Sequence, residues 1–171
     1  YPDHGELWTQ PLEATAEGGV LHLRGRLPVL GFSYQRRMEL LPGHAALRVD
    51  YRITNHGAAP RAFLWKLHAA LAARSGDRIL CPAAIGRPLD LAWSTAPSLE
   101  PFGWPHCGGR DLSVVPEPDG SAEFLALTGL ERGEIGLRRA STGRELRIEF
   151  DTAAFPCSWL FATYGKLLGP H

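Results

Sequence analysis

No run of apolar residues in this sequence approaches the roughly 20 that a membrane-spanning helix needs. Neither sign of charge is in excess. Eighteen basic residues balance eighteen acidic ones, for a formal net charge of +0. That removes the electrostatic reason to expect nucleic acid or an anionic membrane surface as partner. Cysteine is scarce. Cys81, Cys107 and Cys157 are three in number, widely scattered, and form no CxxC pair. An odd, dispersed set argues against a disulfide framework and for reduced thiols in a cytoplasmic setting. Also missing are GxSxG, HExxH and a Gly-rich phosphate-binding loop, so three common chemistries lack their signature. No fixed-period repeat is present, which disfavours a propeller or solenoid. Amphipathic helices are lacking too; "HAALAARSG" suffices for one short turn at most.

What the chain does have is ordinary globular composition, with 44% hydrophobic and 21% charged residues over 171 positions. It also has 19 Gly and 14 Pro, which punctuate it throughout. Between them, period-two alternation recurs. "ALRVDYRIT" sets Leu47, Val49, Tyr51 and Ile53 against Arg48, Asp50, Arg52 and Thr54. "RELRIEFD" sets Leu146, Ile148 and Phe150 against Glu145, Arg147, Glu149 and Asp151. Successive strand side chains point to opposite faces, so both read as half-buried strands. "GGVLHLRGRL", "GFSYQRRMEL", "RAFLWKLH", "AEFLALTGL", "EIGLRRA" and "CSWLFATYG" are strand-like as well, separated by turn signals such as "NHGAAP", "PDG" and "STG". The expectation is an all-β fold, an antiparallel sandwich, forming one domain over 1–171. Residues 82–120 are dense in Pro, Gly and aromatics and read as a long loop over one rim.

Seven histidines are the first candidates for chemistry. His44 and His56 belong to turns, His22 to a polar strand face, and His171 ends the chain. His106 adjoins Cys107 in the long loop, but a zinc site needs two more ligands at sensible spacing, so no metal is expected. His68 differs. It closes the strand-like "FLWKLHAAL", sharing a face with Lys66 and Leu64 opposite Phe63, Trp65 and Leu67. Small alanines beside it leave room for a ligand; the plain alternative is a hydrogen-bonded surface His. Among the acids, Glu100 in the aromatic loop stands alone, and Glu149 and Asp151 sit on a polar strand face, so no spacing selects a glycosidase pair.

Three stretches in order carry a resemblance. "PDHGELWTQPLE" is similar to an upstream His-Gly motif, "TNHGAAPRAFLWKLHAAL" to a turn and strand ending in His, and "GEIGLRRASTGRELRIEFDTAAFPCSWLFATYG" to a late hairpin and closing strand. Together they resemble the galactose mutarotase-like superfamily, the aldose 1-epimerases and their sugar-phosphate epimerase relatives. The resemblance implies a large β-sandwich that binds a pyranose and interconverts its anomers without a cofactor. His68 matches the general acid and His4 the upstream His that holds the ring oxygen and anomeric centre. Imidazole suits proton donation near neutral pH. Glu6, Lys66 and Trp104 are expected at the sugar, with Trp93 and Phe102 as further aromatic surface. The expected partner is a small sugar or sugar phosphate. In the family the base is a Glu, commonly followed by Pro, beyond the last strand. This sequence reaches "YGKLLGPH" without it, and Glu100-Pro101 stands too early to take the role. The chain is therefore expected to be the central and late part of a longer domain. The alternative is a carbohydrate-binding sandwich without turnover, or an accessory domain beside a glycosidase.

Overall fold

A computed structural model of the chain describes residues 5–168. Its contacts cluster into two compact units that divide between Leu67 and His68. Every long strand is antiparallel to its neighbours, and no helix among the described residues exceeds one 3₁₀ turn. None is long and apolar enough to cross a membrane.

The first unit opens with a 3₁₀ turn, Glu6–Thr9, and continues as a four-stranded meander. Its strands are β1 (Glu13–Glu17), β2 (Val20–Leu27), β3 (Phe32–Leu40) and β4 (Leu47–Asn55), paired in sequence order. Gly18 and Gly19 join β1 to β2 with φ of +57° and +80°. A two-residue hairpin of this hand needs positive φ at both positions, which glycine adopts without a Cβ penalty. The apolar face gathers Leu27, Phe32 and Tyr34, all buried. Phe63 meets Phe32 edge-on at 5.4 Å, and Trp65 packs on Tyr34 at 5.7 Å and on Tyr51 at 5.3 Å. So the alternation of "RAFLWKLH" is real: Phe63 and Trp65 share a packed side. The expected strand is not. Residues 60–74 join no sheet. Side-chain packing of two aromatics fixes the segment, and periodicity alone does not supply the backbone partner that a strand needs.

The second unit contains β5 (Arg78–Leu80), β6 (Ile85–Pro88), β7 (Phe102–Gly103), β8 (His106–Cys107), β9 (Arg110–Asp111), β10 (Ser121–Thr128), β11 (Glu134–Arg138), β12 (Glu145–Glu149) and β13 (Ser158–Tyr164). One sheet runs β13-β10-β6-β7 and a second β12-β11-β5, with β8–β9 as a small ribbon. The two sheets face each other sandwich-fashion across one interior. Ile79 and Leu137 of the second sheet pack with Tyr164, Leu160 and Ala162 of the first, and Leu125 and Leu127 of β10 are wholly buried. Two glycines allow β11 and β12 to approach. A Cβ at Gly136 would collide with the Leu146 carbonyl, and one at Gly133 with that of Phe150. The 82–120 stretch is more ordered than its composition suggests. It holds β6 to β9 and a 3₁₀ turn, Leu91–Trp93, in pieces of two to four residues, too short to show a period.

Asp77 ties the turn before β5 to the loop after β11. It is 1% exposed. Its carboxylate accepts the Arg74 amide at 2.8 Å and the Ala140 amide at 2.9 Å, and pairs with Arg139. Burial alone would raise its pKa, but these amides and the guanidinium bring it below the usual carboxylate range. A group depressed in the folded state contributes stability above its unfolded pKa and loses it as pH falls through the folded value. Stability is therefore predicted to fall as pH drops below about 4. Asp77→Asn should lower the urea midpoint at pH 7 and flatten that acid dependence. An unchanged slope in the variant would remove Asp77 as its source.

Candidate functional site

The structure gives the opening stretch a physical anchor. Gly5 takes φ +75°, a left-handed conformation that favours glycine, and turns the chain into the 3₁₀ segment. That places Glu6 inward, 6% exposed. Its two carboxylate oxygens accept separate backbone amides from the β2–β3 turn, Val29 at 2.7 Å and Leu30 at 3.1 Å. Glu6 thus fastens the "HGELW" stretch to a hairpin, and its oxygens serve that clamp rather than standing open to a ligand. His4 lies outside the described residues.

His68 and Lys66 are exposed, on the segment that forms no strand. Trp104 is half-buried on the second unit. It packs against both interior clusters of the second unit, and its indole Nε1–H donates to the Cys81 carbonyl at 3.1 Å. Phe102 is likewise packed against the Leu125 cluster. Glu100 is exposed. No group of three or more His, Cys, Asp or Glu among the described residues is placed to hold a metal ion. The three thiols are free. Burial pushes Cys81 up to about 11 and raises Cys107, which leaves those two poor nucleophiles at neutral pH.

A further feature is an aromatic face on the outer side of β10 and β13. In the register Phe124 stands opposite Phe161 and Ala126 opposite Trp159. Phe124 meets Phe161 edge-on at 5.5 Å and Trp159 at 5.8 Å. Trp93 adds a fourth ring, 5.6 Å from Phe161. Its position is built from the loop. Asp90 caps the 3₁₀ turn by accepting the Ala92 amide at 2.8 Å. Ser94 Oγ accepts from the Phe124 amide at 3.3 Å, and Thr95 donates to the buried Glu123. Lys166 reaches the Ala92 carbonyl and holds its ammonium 4.7 Å from the Trp93 ring centre. Trp159 and Phe161 nonetheless remain 45% and 49% exposed. Large rings left out on a sheet face mark a binding surface more often than scattered single residues do.

Sequence reasoning includes Trp93 but misses Phe124, Trp159 and Phe161. In "CSWLFATYG" both alternating sets are largely apolar, so period two cannot say which side faces out.

These features define an all-β protein of antiparallel sheets with a sandwich-like second unit. Against family models, curated proteins and solved structures, the chain finds no match in any of the three.

The Glu6 clamp generates a direct expectation. Glu6→Gln leaves one of the two turn amides facing an NH₂ group, at a cost of about 1–3 kcal/mol. Hydrogen exchange at the Val29 and Leu30 amides should accelerate accordingly, with little change in β11 and β12. Unaltered protection at both amides would mean that the carboxylate does not hold the turn.

Proposed function

We propose that the chain is an aldose 1-epimerase-like isomerase domain that binds a pyranose and interconverts its α and β anomers. The observation that carries this reading is the Glu6 clamp. The stretch following His4 is tied by a buried carboxylate to a hairpin turn. Such anchoring is what a histidine needs if it is to hold a ring oxygen in place. The ordered motifs around His4 and His68 and the antiparallel β architecture support the same reading.

In this mechanism His68, as imidazolium, gives a proton to the ring oxygen while a base removes the proton of the C1 hydroxyl. The bond between C1 and the ring oxygen breaks, leaving an open-chain aldehyde. Rotation about C1–C2 and the reverse proton transfers close the other anomer, so atoms and charge balance without a cofactor. His4 orients the anomeric centre. The base is the family's Glu, for which this chain offers no matching residue. The three free thiols suit a reducing, cytoplasmic setting. Polarimetry on a freshly dissolved single anomer tests the proposal. The chain, or the full-length protein if longer, should speed equilibration above buffer, and His68→Ala should remove about 10²–10⁴ of that acceleration. A rate unchanged in the variant would exclude His68 as the acid.

A second reading, sugar binding without turnover, is favoured by the aromatic face of Phe124, Trp159, Phe161 and Trp93. Exposed rings offer flat apolar surface to the C–H face of a pyranose. In this case calorimetry should show sugar affinity that weakens by about tenfold in Phe161→Ala, at roughly 1.4 kcal/mol per decade. Anomer exchange should stay at the buffer rate. Equal affinity for wild type and variant would take the sugar off this face.

A further inference from the structure

On the second unit, away from the aromatic face, three guanidinium groups converge over a cleft of about 380 Å³. Its walls include Leu80, which the register sets opposite Gly136 on the arginine side of the sheet, with Cys81 and Trp104, and its rim carries Arg132, Arg138 and Arg147. The strand register explains the convergence. Arg138 of β11 faces Glu145 of β12, and Gly136 faces Arg147, so Glu134, Arg138, Glu145 and Arg147 project to one side of the sheet.

Two carboxylates hold the three cations in place. Glu134, 5% exposed, accepts Arg147 Nη1 at 2.6 Å on one oxygen and Arg132 Nε at 3.3 Å on the other. Glu145 accepts Arg138 Nε at 2.6 Å and Arg147 Nε at 2.7 Å. With Glu149, which the register sets opposite Glu134 on the same side, three positive groups meet three negative ones, so what the site offers is donors rather than net charge. Each guanidinium carries five N–H donors in a rigid fork, more than these carboxylates use. A strand-face ion network built only for stability would gain little from this surplus, because exposed pairs contribute at most about 1 kcal/mol each. A surplus of fixed donors beside an apolar wall and an indole is, by contrast, what a small amphipathic anion requires.

We propose that this cleft binds a small molecule bearing an oxyanion, a phosphate or carboxylate, which Arg132 and Arg138 grip while its less polar body lies toward Leu80 and Trp104. Arg147 is a positioning residue, since it bridges both carboxylates and sets the spacing of the other two. The proposal stands independently of any action on a pyranose.

The test is a titration of the whole chain with inorganic phosphate and, separately, with malonate, each at the ionic strength of a chloride control. Binding is read by heat and by melting temperature. At least one anion should bind and raise the melting temperature above the chloride control. Arg138→Gln and Arg132→Gln should each weaken it by about tenfold or more, the worth of a lost charge-assisted contact. Arg138→Lys should recover only part, because an ammonium cannot present the fork. Response to phosphate alone assigns a phosphate ligand, to malonate alone a carboxylate, and to both the shared chemistry. Circular dichroism checks that each variant is folded; Arg132 and Arg138 are both partly exposed, and either variant suffices. No response beyond chloride with either anion, or the same affinity in folded variants, would overturn the proposal.

Discussion

The second unit depends on β10. This strand hydrogen-bonds to β13 on one side and β6 on the other, and its two faces have opposite duties. Leu125 and Leu127 point inward with no exposed surface, while Phe124 and Ala126 point outward. A slip of one residue would exchange these sets and put two leucines in water. At about 1.5–3 kcal/mol for each fully buried leucine side chain, that penalty fixes the register. The aromatic face follows from it, because the same register sets Phe124 beside Phe161 and Ala126 beside Trp159. Glu123 and the amide of Phe124 then hold the Ser94–Thr95 turn, so the position of Trp93 is inherited from β10 too.

Buried carboxylates play the complementary part. Glu6, Asp77 and Glu134 sit in different places but work alike. Each is almost fully enclosed, and each accepts backbone amides or guanidinium donors on both oxygens. Burial by itself would raise Glu134, yet hydrogen bonds from Arg147 and Arg132 bring it below the usual range. Such groups cost much to leave unpaired, so they select one arrangement of the turns and strands they join. In Glu6 this fastens the Gly5–Gln10 stretch to the β2–β3 turn. In Glu134 it organises Arg132 and Arg147, which would otherwise repel one another.

Much of the fold is legible in the sequence. β2, β3, β4, β10, β11, β12 and β13 all fall on stretches whose alternation or β-branched and aromatic content announces them. What escaped has physical causes. β1 is exposed at all five residues and so has no apolar face to display. β5 to β9 are too short for a period. Residues 60–74 carry a strand's alternation but lack a strand's partner. The candidate site was harder. Glu6 is a plausible ligand by type, but only the fold reveals that its oxygens are committed to Val29 and Leu30. Trp104 is a plausible sugar platform by type, but only the fold reveals that it is half-buried, with its indole donating to Cys81. The Arg132–Arg138–Arg147 group needs the pairing of β11 with β12, which no local pattern encodes.

The central claim, that the chain handles a pyranose, is tested most directly by titrating the ¹⁵N-labelled chain with glucose and with galactose and reading amide and indole shifts. The account predicts residue-specific shifts that cluster on the Gly5–Gln10 stretch and His68, or on Trp93, Trp159 and Phe161. The first pattern favours the isomerase reading and the second the binding reading. The indole of Trp104, donated to Cys81, should stay put in both. An unchanged spectrum with either sugar at high millimolar concentration would contradict the account.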